Sequence, residues 1–187
     1  MQVPVGVVAA IVPWNAPVRS IINKLAPALV AGCAVVAKPA PDTPLSSMVL
    51  GEIIADLTAE GALPVGLISI VPADRAVGEH LVAHPGVDKV AFTGSTSAGR
   101  RIMATAAENL TRVGLELGGK SAAIVLDDAD FGDTLKRLVP LAIGNTGQAC
   151  TAQSRVLVSR DRHDEFVDAL CAAVERWPPG GPSDPGT

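Results

Sequence analysis

The sequence predicts an α/β protein in which a parallel β-sheet is covered by helices on both faces, followed by the beginning of a second α/β domain. Short runs of β-branched and other apolar residues alternate along the chain with longer segments of helical spacing. These runs are apolar almost throughout, which is typical of parallel strands buried on both faces. With 187 residues, 48% of them hydrophobic, the chain is large enough to bury such a core.

The elements of the first part follow one another in regular alternation. A proline or glycine follows each predicted strand within two residues, and the first two helices are followed by Gly32 and Gly61. The strands are predicted at 5–12, 33–38, 66–71, 89–92 and 112–117. The helices between them are predicted at 17–31, 45–59, 77–83 and 96–108.

The pattern changes after the glycine pair Gly118-Gly119. A strand at 121–126, a helix ending near residue 144, a strand at 155–159 and a helix at 164–176 are predicted there. Residues 178–186 are rich in proline and glycine, which predicts irregular structure. We therefore divide the chain into a partial domain at 1–118 and the beginning of a second domain at 119–187.

Composition excludes several classes of function. The net charge is −4 and there are only five aromatic residues, none of them tyrosine, so we expect no nucleic-acid partner. The longest nearly apolar run, 25–37, is shorter than the roughly 20 residues that cross a bilayer, so we expect no membrane partner. Three widely spaced cysteines fit free thiols in a reducing cytoplasm better than disulfides or a zinc site, and no metal site is predicted.

A glycine-containing loop at 92–100 follows a predicted strand and opens a helix. Such a loop can bring backbone N–H groups close to a phosphate. The spacing of Gly94 and Gly99 superficially matches a P-loop, but Arg100 and Arg101 stand where that motif needs lysine and then serine or threonine. The loop therefore leaves two interpretations open, a nucleotide site or a simple helix cap at Ser95 or the residue after it.

Two side chains are candidates for catalysis because of their residue types and local settings alone. Cys150 lies in a polar, glycine-containing loop that would leave a thiol accessible, whereas Cys33 and Cys171 lie in apolar segments and are expected to pack. Glu116 ends an apolar strand between glycines. It is either a carboxylate at a solvated strand edge or a semi-buried general base.

Taken together, five motifs in order resemble those of the aldehyde dehydrogenase superfamily, and the similarity runs from Val3 to Thr187. They correspond to the family's Pro-Trp-Asn signature, its Lys-Pro cofactor motif, its phosphate-side loop, its general-base signature and its nucleophile loop. In this sequence they are Pro13-Trp14-Asn15, Lys38-Pro39-Ala40, Phe92-Thr93-Gly94-Ser95-Thr96, Leu115-Glu116-Leu117-Gly118-Gly119-Lys120 and Gly147-Gln148-Ala149-Cys150.

The resemblance implies a fold, an activity and roles for these residues. The fold would be a Rossmann-like dinucleotide-binding domain at 1–118 and the start of the catalytic domain at 119–187. Cys150 would attack an aldehyde, and Asn15 with the Cys150 N–H would bind the oxyanion. After hydride transfer to NAD or NADP, Glu116 would activate the water that hydrolyses the thioester to a carboxylic acid. The cofactor would be bound by Trp14, Lys38, Gly78, Gly94, Ser95 and Leu117.

Some features depart from the family pattern. Pro41 stands where NAD-preferring members carry a glutamate three residues after the lysine, so the choice between NAD and NADP stays open. Ala73 replaces a usual glycine. Family members are well over twice as long and homo-oligomeric, and we expect a fragment truncated at both ends, without the oligomerisation segment. The alternatives are a catalytically inactive nucleotide-binding remnant and, from another class, a P-loop NTPase.

Overall fold

The computed structural model describes residues 3–184, and the chain divides into two compact units between Gly118 and Gly119. Within residues 3–118, the first unit holds five strands and four helices. Its strands are β1 (Val7–Ile11), β2 (Ala34–Lys38), β3 (Ile68–Ile70), β4 (Lys89–Gly94) and β5 (Arg112–Leu117). Its helices are α1 (Pro17–Val30), α2 (Leu45–Ala59), α3 (Arg75–Ala83) and α4 (Thr96–Glu108).

The five strands form one parallel sheet in the order β3-β2-β1-β4-β5. The chain first winds outward from β1 to β3 and then returns to add β4 and β5 on the other side. This is the order of the first five strands of a Rossmann fold, and the predicted fold class is confirmed. Ligands bind such sheets at the carboxyl ends of the strands, where the winding direction reverses; here that point lies between β1 and β4.

The central strand β1 is buried on both faces, and its side chains alternate between two cores. Val8 and Ala10 belong to a cluster under α1 that includes Ile21. Ala9 and Ile11 belong to the opposite cluster, under α3 and α4. The near-continuous apolar runs in the sequence follow from this double burial, because neither face of the strand meets water.

Within residues 119–184, the second unit has two parallel strands, β6 (Ala122–Val125) and β7 (Arg155–Val158), and two α-helices, α5 (Phe131–Ile143) and α6 (His163–Val174). Two short 3-10 helices, Gly144–Gly147 and Arg160–Arg162, lie in the loops before β7 and α6. Phe131 and Phe166 meet edge to face at 5.1 Å in its core. The Arg162 guanidinium lies 3.8 Å from the centre of the Phe131 ring and donates to the carbonyls of Asp127 and Ala129. The helix pair and the loop after β6 are thereby held together.

Several element boundaries differ from the sequence prediction. The first strand begins at Val7, because Gly6 has φ +114° and the Asp88 carboxylate accepts from the Val7 N–H at 2.8 Å. Helix α3 begins at Arg75 rather than at residue 77, since Asp74 caps it by accepting from the Val77 N–H at 3.2 Å. No helix or strand follows α6 up to residue 184, as predicted. Residues 185 and 186 of the expected irregular tail lie outside the described residues.

The expectation for Cys171 was wrong. Cys33 is buried with 2% of its surface exposed, as predicted, but Cys171 is exposed. Helix α6 turns Phe166 and Leu170 toward the core, and Cys171 lies one residue beyond that apolar stripe. No helix within residues 3–184 is long and apolar enough to cross a membrane.

Candidate functional site

A cleft of about 250 Å³ opens at the point where the winding of the sheet reverses. Its floor is apolar and is formed by Ile11, Val12 and Phe92 at the ends of β1 and β4. Its walls are α3, which contributes Val82, and α4, which contributes Ile102. A cleft with an apolar bed at the carboxyl ends of parallel strands can accept a planar, weakly polar group such as a nucleotide base.

Lys38, the last residue of β2, lines this cleft and is only 5% exposed. Its ammonium donates to the carbonyl oxygens of Pro39 and Ala73, each at 2.8 Å. Burial lowers the pKa of Lys38 below its ordinary value, and the nearby Asp74 carboxylate opposes that shift. An ammonium has three N–H donors and the two carbonyls accept two of them, so the geometry suits a further acceptor such as a ribose hydroxyl.

Gly78 on α3 makes room for this lysine. A Cβ built on Gly78 would lie 3.2 Å from Lys38 Cε and 3.4 Å from its Cδ. The glycine therefore lets helix α3 pack against the stem of Lys38, and both residues line the cleft. The carbonyl of Ala73, just before α3, accepts a hydrogen bond from the Lys38 ammonium. Ala73 stands where the family usually has a glycine, and it contributes to the cleft through its backbone.

The two glycines of the predicted loop lie in regular elements, Gly94 at the end of β4 and Gly99 in the first turn of α4, and both allow close packing. A Cβ on Gly94 would overlap the Phe92 ring, and one on Gly99 would lie 2.9 Å from a Leu117 methyl group. Ser95 is the N-cap of α4, accepting from the Ala98 N–H at 3.3 Å. The glycine spacing that resembles a P-loop thus also has a packing explanation. Ser95 caps α4, and its role toward a nucleotide stays a prediction.

Glu116 is an exposed side chain on β5, the edge strand of the sheet. It stands in register with Thr93 on β4, whose hydroxyl accepts from the Lys24 ammonium of α1 at 2.7 Å. Lys24 and Glu116 line the same cleft of about 380 Å³ on the α1 face. Burial lowers the pKa of Lys24, while attraction to Glu116 opposes the shift. A lysine, a hydroxyl and a carboxylate are thereby brought together.

Lys24 was not predicted from the sequence. Its signal was available, because it is the one charged residue between Ile21 and Val30 on an otherwise apolar stretch of α1. However, a lysine at this position is equally typical of the solvent-exposed face of a helix. Only the tertiary packing of α1 over the sheet, against β1 and β2, brings it to Thr93.

Trp14 and Asn15 lie in the turn between β1 and α1. The Trp14 side chain is 42% exposed, and its carbonyl accepts from the Thr43 hydroxyl at 3.1 Å. Asn15 is half-buried and stands two residues before Pro17, the first residue of α1. Both residues therefore follow a strand at the same edge of the sheet as Lys38.

Cys150 is exposed in the loop between α5 and β7 of the second unit. Three consecutive residues of this loop, Asn145, Thr146 and Gly147, have positive φ of 53°, 58° and 70°. A positive φ is uncommon for a β-branched residue such as Thr146 and marks a strained backbone. Hydrogen bonds from the Gln148 N–H to the Asn145 carbonyl and from the Ala152 N–H to the Ala149 carbonyl hold the turn.

The first unit brings its candidate residues to one edge of the sheet, with Asn15, Lys38, Gly94 and Glu116 at or just beyond the carboxyl ends of four neighbouring strands. Cys150 belongs to the second unit. Among residues 3–184, no group of three or more His, Cys, Asp or Glu side chains is arranged to hold a metal ion.

Comparison with known proteins decides the family. A model of the aldehyde dehydrogenase family matches residues 1–187. The chain belongs to the aldehyde dehydrogenase family. The resemblance found in the five sequence motifs is thereby confirmed. Within the family, this chain is 56% identical over 185 residues to geranial dehydrogenase of Castellaniella defragrans, covering 98% of the chain and 38% of that protein.

Other aldehyde dehydrogenases give the same result. The chain is 44% identical over 185 residues to a mitochondrial aldehyde dehydrogenase of Leishmania tarentolae, covering 98% of the chain and 36% of that protein. The crystal structure of a Mycobacterium tuberculosis aldehyde dehydrogenase complexed with NAD⁺ matches with a TM-score of 0.92 and 46% identity, covering 98% of this chain and 37% of that one. This aldehyde dehydrogenase sequence thus spans slightly more than a third of the length of these relatives.

Proposed function

We propose that this sequence provides the cofactor-binding and nucleophile-bearing part of an enzyme that oxidises a small-molecule aldehyde to a carboxylic acid with NAD or NADP, EC 1.2.1.-. The family match over the whole sequence supports this proposal most directly. Residues 1–118 would form the dinucleotide-binding part, and residues 119–187 would begin the catalytic domain. An exposed thiol nucleophile suits a reducing compartment, and we propose the cytoplasm.

The residues of the cleft in the first unit fit an adenine nucleotide. The apolar bed between α3 and α4 would take the base. The Lys38 ammonium, already fixed by two carbonyls, would donate its remaining N–H to the ribose. Trp14, Gly78, Gly94, Ser95 and Leu117 are the further residues that we assign to this site. When bound, the oxidised nicotinamide supplies a hydride acceptor.

Cys150 would be the nucleophile in the first chemical step. Its sulfur would attack the carbonyl carbon of the aldehyde, forming a C–S bond and a negatively charged oxygen. The Asn15 side-chain amide and the Cys150 N–H would donate to that oxygen, because charge developing on it is best stabilised by donors already in place. Loss of hydride from the same carbon then converts the thiohemiacetal to a thioester on Cys150.

Glu116 would act in the second half of the reaction. Its exposed carboxylate can accept a proton from water, whose oxygen would then attack the thioester carbon. The C–S bond breaks, the carboxylic acid leaves and the thiol of Cys150 is restored. Lys24 lines the same cleft as Glu116 and places a positive charge near this carboxylate.

A chimera tests this proposal. Since the chain spans about 38% of the Castellaniella geranial dehydrogenase, residues 1–187 would replace the matching segment of that enzyme. The chimera should reduce NAD or NADP in the presence of geranial, and Cys150→Ser should abolish this activity because a hydroxyl is a far weaker nucleophile than a thiol. Cys171→Ser, at the other exposed cysteine, is the matched control and should leave turnover unchanged. Full activity of the Cys150→Ser chimera would refute the assignment.

A further inference from the structure

The turn that leads from helix α5 into the Cys150 loop has a left-handed backbone. Asn145 has φ 53° and ψ 39°, Thr146 has φ 58° and ψ 31°, and Gly147 has φ 70°. This region is disfavoured for most residues because the Cβ comes too close to the following carbonyl oxygen, and glycine and asparagine populate it most readily. Two consecutive non-glycine residues in it, one of them β-branched, mark a conformation that something must hold in place.

Hydrogen bonds rather than burial hold this turn, since every residue from Asn145 to Cys150 is exposed. The Gln148 N–H donates to the Asn145 carbonyl at 3.0 Å. In return, the Asn145 side-chain Nδ2 donates to the Gln148 carbonyl at 3.4 Å. Any residue could make the first bond through its backbone. The second bond requires the asparagine amide, so Asn145 stabilises the turn both by its backbone preference and by its side chain.

The next turn contains the thiol. The Ala152 N–H donates to the Ala149 carbonyl at 3.1 Å, which places Cys150 at the second position of a β-turn. The N–H at that position takes no part in the bond that closes the turn, as the proposed oxyanion donor requires. The Gln153 N–H then donates to the Leu141 carbonyl of α5 at 3.3 Å. Because the end of the loop is fixed to α5, the left-handed turn sets the direction in which the chain enters the Cys150 turn.

We propose that Asn145 is a positioning residue for Cys150: its left-handed backbone and its side-chain amide together fix the turn that presents the thiol and the Cys150 N–H to the aldehyde. The inference rests on the proposed function, because it names a residue that serves the same nucleophile. Asn145 contacts neither aldehyde nor cofactor in this role and acts through the backbone of Gln148. Alanine at this position would lose both contributions, whereas glycine would keep the left-handed backbone and lose only the amide.

Two substitutions at Asn145 separate these contributions in the chimera with the Castellaniella geranial dehydrogenase. The single-turnover rate of cofactor reduction with geranial reports attack by Cys150 and hydride transfer. We expect Asn145→Ala to lower this rate about 10²-fold and Asn145→Gly about tenfold, because a displaced nucleophile loses its alignment with the carbonyl. The dissociation constant of the cofactor should stay within about twofold in both variants, since the residues assigned to the cofactor belong to the first unit.

Leu110 provides a matched control. It is another exposed, non-glycine residue with a left-handed backbone, φ 54°, and it lies in the turn between α4 and β5 of the first unit. Leu110→Gly changes the conformational preference of such a residue away from the nucleophile and should leave the single-turnover rate unchanged. The thermal unfolding midpoint of each chimera separates positioning from folding. Asn145→Gly should keep the midpoint of the unsubstituted chimera while it loses rate.

The outcomes distinguish this inference from the proposed function. An unchanged rate in Asn145→Ala would overturn the positioning role, while loss of activity in Cys150→Ser would leave the proposed function in place. A rate in Asn145→Gly equal to that of the unsubstituted chimera would overturn the role of the amide, and one no higher than in Asn145→Ala would overturn the role of the backbone. Rate losses that merely follow lowered unfolding midpoints would assign Asn145 to folding alone and overturn the proposal. An active Cys150→Ser chimera would overturn the proposed function and this inference with it.

Discussion

Gly78 lies against the stem of Lys38 so closely that a methyl group in its place would stand 3.2 Å from Lys38 Cε. The lysine cannot easily move away, because its ammonium is tied to the carbonyls of Pro39 and Ala73. The distance between helix α3 and strand β2 is thereby set by one glycine. Both residues line the cleft at the carboxyl ends of the strands.

Gly78→Ala should destabilise the first unit. Alanine favours a helix over glycine, but here the added methyl group must displace a buried, hydrogen-bonded side chain. We expect a net loss of about 1 kcal/mol in the free energy of unfolding. Gly51→Ala on α2 is the matched control: its added methyl group would meet Ile70 at an ordinary 3.7 Å, and we expect a gain of about 0.5–1 kcal/mol. Urea denaturation measures both. A gain in both variants would show that Lys38 moves freely.

The three cysteines should differ in their rates of alkylation at neutral pH. Cys33 is 2% exposed and should be protected in the native chain. Cys150 and Cys171 are both exposed, so any difference between them reports local reactivity rather than access. If Cys150 is the nucleophile, it should be labelled first. Mass spectrometry after brief labelling measures the order.

The Cys171→Ser variant serves as the control for this experiment and should leave the labelling rate of Cys150 unchanged. Faster labelling of Cys171 than of Cys150 in the unsubstituted chain would contradict the assignment of Cys150 as the activated thiol.

Lys24 should make the free energy of unfolding depend on pH in the alkaline range. Burial lowers the pKa of Lys24 below its ordinary value of 10.5, so between the two values the unfolded chain holds a proton that the native chain has lost. The free energy of unfolding should therefore rise with pH through this window and level off above 10.5. Lys38 contributes in the same direction. No tyrosine is present to ionise in this range.

Two variants separate the contribution of Lys24 to this pH dependence from that of the other titrating groups. Lys24→Met should flatten the rise, because the titrating group is gone. Thr93→Val should steepen it, since the ammonium loses the oxygen that accepts its 2.7 Å hydrogen bond. Urea denaturation as a function of pH measures both slopes. An unchanged pH dependence in Lys24→Met would show that this lysine is not perturbed in solution.

The fold could be predicted from the sequence where local signals and burial agree. Helix α4 and strand β5 have the predicted bounds because Ser95 caps the helix and a glycine pair follows the strand. The start of α3 was missed, although Asp74 is an ordinary cap. Other features depend on tertiary structure. Cys171 faces water because α6 buries a neighbouring stripe, and no local pattern distinguishes the two faces sharply.

The candidate site was predictable only in part, for a similar reason. Cys150 and Glu116 were candidates from their residue types and settings, and only the resemblance of their motifs to a family implied a role for each. The contact of Lys24 with Thr93 joins residues 69 positions apart, and the place of Arg75 in the cleft depends on how α3 packs against β2. Neither relationship leaves a periodic signal in the sequence.

In the proposed mechanism, Cys150 carries the acyl group and Glu116 releases it. The most direct test is a single turnover of the Glu116→Gln chimera with geranial and cofactor, followed by mass spectrometry of the quenched protein. We predict about one equivalent of reduced cofactor per protein, an acyl group on the peptide that contains Cys150, and steady turnover lowered about 10²–10⁴-fold. Absence of the reduced cofactor, or an acyl group on the Cys171 peptide instead, would contradict this account.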